Sequence, residues 1–306
     1  MNLNGVQDQL PPPTTGQQRD HSEPVAVQFC QPFVPQVLRQ QMMLDSTLWW
    51  LFRGTLIAMA CLAAFEAVYL QATPESGLSL LFLVFAIGWA VYGLITARVA
   101  RQLPQITELI AVDPQQAEAM LATALRRWPL QRSVRLMLYH RLAILRCRSE
   151  RFAETATICQ AVLIYPLGQA RVIKGHLLLM LTESRLYCRD LWGAWQALSS
   201  LHHCKLNVTE SLQRTSLQTR YEVETGYDAM ALEQLEQKIA MAELMPAPQC
   251  AAMHAMLATA ARRREQTHIA DWLQQRAWLL GTAEQLDRLW PRHHGDKIVN
   301  ADELSA

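Results

Sequence analysis

From residue 114 to residue 281 apolar positions recur every three or four residues, with polar residues filling the rest of each turn. That period belongs to amphipathic helices. It predicts helices at about 114–128, 131–149, 152–165, 168–188, 191–204, 208–226, 228–244, 247–264 and 267–281. Pro129, Pro166, Leu206-Asn207 and Pro246 mark breaks, because proline cannot donate the helical hydrogen bond and clashes with the preceding turn. Polar turns near Ser149-Glu150, Arg189-Asp190, Gly226 and Gln266-Thr267 supply the others. No alternating apolar run bounded by turns points to a strand.

Upstream the pattern changes. Leu78 to Ala97 runs LSLLFLVFAIGWAVYGLITA, twenty residues without a charge, which as a helix matches the hydrocarbon thickness of a bilayer. Ser46 to Leu70 is a second candidate span carrying Arg53 and Glu66 near its ends, with Trp49, Trp50 and Tyr69 where interfacial aromatics would sit. Gln71 to Gly77, with Pro74, makes a tight turn between them, so the two spans predict a hairpin. Arg39 precedes it, Arg98 and Arg101 follow it, and the turn has no Lys or Arg. Positive charge stays on the cytoplasmic side, which places both termini in the cytoplasm of an inner or plasma membrane. Arg53 and Glu66 are separated by about 20 Å of helical rise and point to different faces, so they cannot pair within one helix. Each either reaches the interface or meets a partner on another subunit or protein. Residues 1–44, with Pro11-Pro12-Pro13, many Gln and no period, are expected to be a disordered tail without signal-peptide character.

A longer period underlies the helices. Ala117-x3-Leu121-x2-Ala124-x4-Pro129 places small residues one and two turns from a larger apolar one, before a proline stop. Its tail recurs as Ile158-x2-Ala161-x4-Pro166, and further small residues stand at Ala194, Ala231 and Ala270. The unit is a pair of antiparallel helices of about 37 to 40 residues. This spacing resembles the tetratricopeptide repeat, whose second helix carries A-x3-F/Y-x2-A-x4-P. The resemblance covers about residues 106–281, with Leu121 at the aromatic position, and Gly226-Tyr227-Asp228 resembles the turn of that family. The first helices depart from the family's pattern, and Glu154 falls on one alanine position. The resemblance implies an α-solenoid whose face holds peptides or partner proteins without catalysis. The expected fold is therefore all-α. A transmembrane hairpin over residues 45–98 precedes a TPR-like solenoid over 105–290 and a polar C-terminal tail over 291–306.

Composition adds little to this and removes several alternatives. Apolar residues make up 51% and charged residues 18%, between a soluble enzyme and a polytopic transporter. The formal charge of +1 argues against a general nucleic-acid binder. Seven cysteines without a C-x-x-C pair indicate scattered reduced thiols. No phosphate loop, H-E-x-x-H, G-x-S-x-G or dinucleotide fingerprint occurs, and neither a cofactor nor a metal nor a catalytic residue is expected.

One patch carries candidate chemistry. Residues 126–151 hold eight arginines against Glu150 alone. On a helix from 131, Arg132, Arg135, Tyr139 and Arg146 share one face, opposite an apolar arc of Val134, Met137, Leu138, Ile144 and Leu145. Arg141 falls within that arc, where a charge needs a partner or a groove. The arginine fork suits carboxylates and phosphates, so the patch points to an acidic protein segment or to the anionic lipid surface. The expected function is a membrane-anchored scaffold or adaptor, not an enzyme. The competing reading is an accessory subunit of a membrane enzyme or transporter acting through Arg53 and Glu66.

Overall fold

The computed structural model describes residues 77–126 and 131–290 throughout, and 43, 47, 50–52, 54–62 and 64 before them. Arg53, Glu66, the hairpin turn, most of residues 1–44 and the C-terminal tail lie outside the described residues. Among the described residues there is no strand. Helix α1 runs Gly77–Val112, followed by α2 Pro114–Arg126, α3 Arg132–Arg148, α4 Phe152–Ile164, a 3₁₀ turn Gly168–Ile173 and α5 Lys174–Tyr187. Then come α6 Leu191–Leu201, α7 Val208–Glu224, α8 Asp228–Leu232, α9 Leu235–Glu243, α10 Ala247–Arg263, α11 Thr267–Leu280 and α12 Ala283–Leu289.

Local chemistry sets the helix ends. Asp113 accepts hydrogen bonds from the backbone N–H groups of Gln115 and Gln116, and Asp190 does so from Gly193. Asn207 with Glu210, and Thr282 with Gln285, form reciprocal capping boxes. Four C-terminal ends repeat one motif. After α3, α5, α7 and α10 the chain turns through a left-handed residue: Glu150, Arg189, Gly226 and Glu265, spaced 39, 37 and 39 residues apart. Each is followed by an N–H that bonds five residues back: Arg151 to Arg146, Asp190 to Arg185, Tyr227 to Glu222, Gln266 to Ala261. This is the Schellman turn, and its fourfold recurrence gives the repeat its phase.

That phase resolves the small-residue pattern. Five residues after each turn stand Thr155, Ala194, Ala231 and Ala270, each fully buried. Ala117 is equally buried on α2. Glu154 is therefore one position off the tight contact, and Thr155 fills it. From α1 to α8 each helix packs on the next, α9, α11 and α12 pack on α10, and α3, α5, α7 and α10 also pack on their successors in that series, as stacked helix pairs do.

Two apolar clusters result. The first gathers Val99, Ile106 and Ile110 of α1 with α2 to α6 and Leu217 of α7. The second gathers Val223 of α7, Ala231, most of α10, and Leu286 and Trp290 at the C-terminal end. Helix α7 belongs to both. The helix expected over 228–244 is broken: Gln234 is left-handed at φ 54° and separates α8 from α9. The helix expected from 168 begins as a 3₁₀ turn. No connector separates residue 98 from the solenoid, because α1 continues through it as one 36-residue helix. Side chains on its apolar stretch are described from 83, apart from 84, 85 and 92. Among the described residues no helix is long and apolar enough to cross a membrane.

Candidate functional site

The expected arginine face of α3 is largely interior. Arg146 is 1% exposed and Tyr139 6%. Helix α2 covers this side and brings Glu118, whose Oε1 accepts from Arg146 Nη2 at 2.6 Å. Glu154 Oε2 lies 3.3 Å from Arg146 Nε, an ionic contact without hydrogen-bond alignment. Arg146 thus joins α2, α3 and α4, and is not a surface group. Arg132 is partly exposed, with its guanidinium 5.7 Å from the ring centre of Tyr165. Arg135 is partly exposed, and burial lowers its pKa.

The open side of α3 takes in one edge of the arc expected to be apolar. Ser133, Met137, Arg141, Ile144 and Arg148 are partly or fully exposed, within a sector of about 80° at helical spacing. Val134, Leu138 and Leu145 beside it are buried. Of the expected apolar arc Met137 and Ile144 face outward, while Val134, Leu138 and Leu145 are interior, because helices from two directions enclose α3.

The stripe continues across the next odd-numbered helices in the same register. Met137, Arg141, Ile144 and Arg148 stand 13, 9, 6 and 2 residues before the turn at Glu150. The equivalent residues are His176, Met180, Glu183 and Tyr187 on α5, and Gln213, Leu217, Arg220 and Glu224 on α7. Met180, Leu217 and Arg220 are buried, and the remainder are partly exposed.

Two polar groups form on this face. At one end His140 Nε2 and His176 Nδ1 are 2.8 Å apart, joining α3 to α5. Burial, then His176, then Arg141 depress His140 to about 3. His176 is lowered by burial, against the opposing pull of Glu210 on α7. Arg141 Nε and His140 Nδ1 are buried without hydrogen-bond partners. Near the turns, the Tyr187 ring stacks on Phe152 at 3.9 Å, and the Arg220 guanidinium lies 4.1 Å from its centre. Arg220 Nε donates to Glu224 Oε1 at 2.6 Å. Burial raises the Glu183 carboxyl, and Arg220 offsets part of that.

The Cys147 and Cys159 thiols are not tuned as nucleophiles. Burial pushes the Cys147 thiol up to about 12, with Glu183 adding to the effect, and raises Cys159 further. A nucleophilic thiol needs the opposite shift. Among the described residues no group of His, Cys, Asp or Glu is placed to hold a metal. Of the five residues read from the sequence, Arg132, Arg135 and Arg141 reach the surface. Glu183, Tyr187 and Arg220 were not anticipated; the one visible signal was a lone acid within the apolar run LLLMLTESRLY.

Compared with known proteins, the chain matches no family model, no curated sequence and no solved structure.

Proposed function

We propose that the chain is a membrane-anchored scaffold of the TPR-like kind, holding a partner protein on the open face of α3, α5 and α7. One observation carries this reading: α1 is exposed and apolar at one end and built into the solenoid core at the other. Leu83, Ile87, Trp89, Val91 and Leu94 are each more than half exposed, and residues 86 to 91 are exposed on every side. In water that surface is costly; in a bilayer it is solvated. Trp50, Leu51, Ile57 and Leu62 of the preceding helical residues are also more than half exposed, as the other arm of a hairpin would be. Val99, Ile106 and Ile110 are buried in the first core. A rigid helix leading from lipid into the first repeat would fix the solenoid against the inner or plasma membrane. Arg141 provides positive charge on that face toward an acidic segment of the partner.

The test is topology. Reporter fusions at residues 40, 74 and 110 are expected to read inside, outside and inside. An outside signal at 110 would remove the cytoplasmic scaffold, and an outside signal at 40 would leave a single span.

A further inference from the structure

The C-terminal helix reaches back across the molecule. Tyr187 Oη donates to the carbonyl oxygens of Arg288 at 3.0 Å and Leu289 at 3.1 Å. Those carbonyls belong to the last turn of α12, where a helix has no acceptors' partners of its own. Arg288 Nε donates to Glu150 Oε1 at 2.9 Å, a contact 138 residues apart in sequence. Leu286 and Trp290 are 3% and 8% exposed and belong to the second core. One short helix therefore packs on α10 while its far end is held by α5 and by the turn between α3 and α4.

The receiving surface has a definite chemistry. It offers a phenolic donor to the negative end of a helix dipole and a carboxylate to a basic side chain beside it. Below it lies Glu183, for which burial already disfavours the charged form. We propose that Glu150 and Tyr187 form a receptor for the C-terminal end of an arginine-bearing helix, and that α12 is its resident occupant in the free protein. A partner presenting such a helix end would displace the tip of α12 and gain the open face. This rests on the scaffold reading above and names one partner chemistry for it, distinct from the acidic segment expected at Arg141.

The experiment uses the purified full chain and hydrogen exchange of the α12 amides. Tyr187→Phe and Arg288→Glu are each expected to speed exchange over residues 286–290 at least tenfold, with α3 and α5 unchanged. Combining Arg288→Glu with Glu150→Arg restores slow exchange, which a merely misfolded variant would not do. A labelled peptide of residues 279–290 is then expected to bind the Arg288→Glu chain at least tenfold more tightly than wild type or the Glu150→Arg chain. Unchanged exchange in both single variants overturns the clasp. Absence of peptide binding to the Arg288→Glu chain overturns the receptor. Neither readout depends on the membrane or on a natural partner, so failure of the topology experiment is separable from failure here.

Discussion

Arg146 shows what a single side chain can hide. On a helical wheel it groups with Arg132 and Arg135, yet it is the largest fully buried side chain among the described residues. Its partner Glu118 is 28 residues away on another helix, so no local pattern reveals the pairing. Removing one member of a buried ion pair strands the other charge, which costs about 3–5 kcal/mol. Arg146→Ala should therefore lower the urea midpoint severely, while Arg146→Leu with Glu118→Leu should recover most of the loss. Equal destabilisation by the single and double changes would mean that packing, not charge, is what Arg146 supplies. His140 gives a pH signature. Its folded pKa of about 3 lies below the ordinary 6.5, so between those values the unfolded chain takes up a proton that the folded chain refuses. The stability is complete above 6.5 and falls as pH drops toward 3, at up to about 1.4 kcal/mol per pH unit. Groups facing it are His176, Arg141 and, through His176, Glu210. Glu183, raised by burial, works in the opposite direction, so the measurement is a difference. His140→Leu should flatten the slope of stability against pH between 4 and 6.5 relative to wild type, and parallel slopes would refute it.

At the scale of elements, helix positions were readable because period and punctuation agree. Pro166 and Pro246 mark helix boundaries without tertiary help, and Pro129 lies outside the described residues. The turns at Glu150 and Arg189, and the one read near Gln266-Thr267 that stands at Glu265, were placed by polarity alone, because among the four recurring turns glycine, the residue that usually marks a left-handed position, stands only at Gly226. A non-glycine residue held there costs about 1 kcal/mol, since its Cβ crowds the neighbouring carbonyl. Arg189→Gly should accordingly raise stability by about that amount, and Gly226→Ala should lower it similarly. Thermal melting of the two variants checks both signs, and a destabilised Arg189→Gly would show that its side chain does more than occupy a turn. The break at Gln234 carried no such marker: Glu233-Gln234 looks like helix interior, and only packing of α8 and α9 against α10 divides it. Helix α12 was legible in principle from Thr282-x-x-Gln285, the capping box that opens it.

At the scale of the molecule, helix pairs and an all-helical fold follow from local period, but where one unit ends depends on contacts no period encodes. The apolar stretch of α1 draws the boundary near residue 98, whereas the first core reaches into that helix. Val99 and Ile106 are fully buried, Ile110 is 3% exposed, and Arg148 Nη1 donates to the Ile110 carbonyl at 3.2 Å. Each buried aliphatic side chain contributes about 1.5–3 kcal/mol, an upper range because unfolded chains are not fully extended. Losing all three would remove about 5 kcal/mol, which is the whole stability of many domains. A fragment spanning residues 98–290 should therefore be soluble, strongly helical by circular dichroism and cooperative on heating. A fragment spanning 114–290 should melt far lower or fail to fold, despite containing every helix from α2 onward. Both end at 290, so the α12 contacts to Tyr187 and Glu150 are common to them and cancel in the comparison. Matching melting curves would place the solenoid's first layer at α2 and leave α1 as a tether, which would weaken the rigid link between membrane and repeats on which the scaffold reading depends.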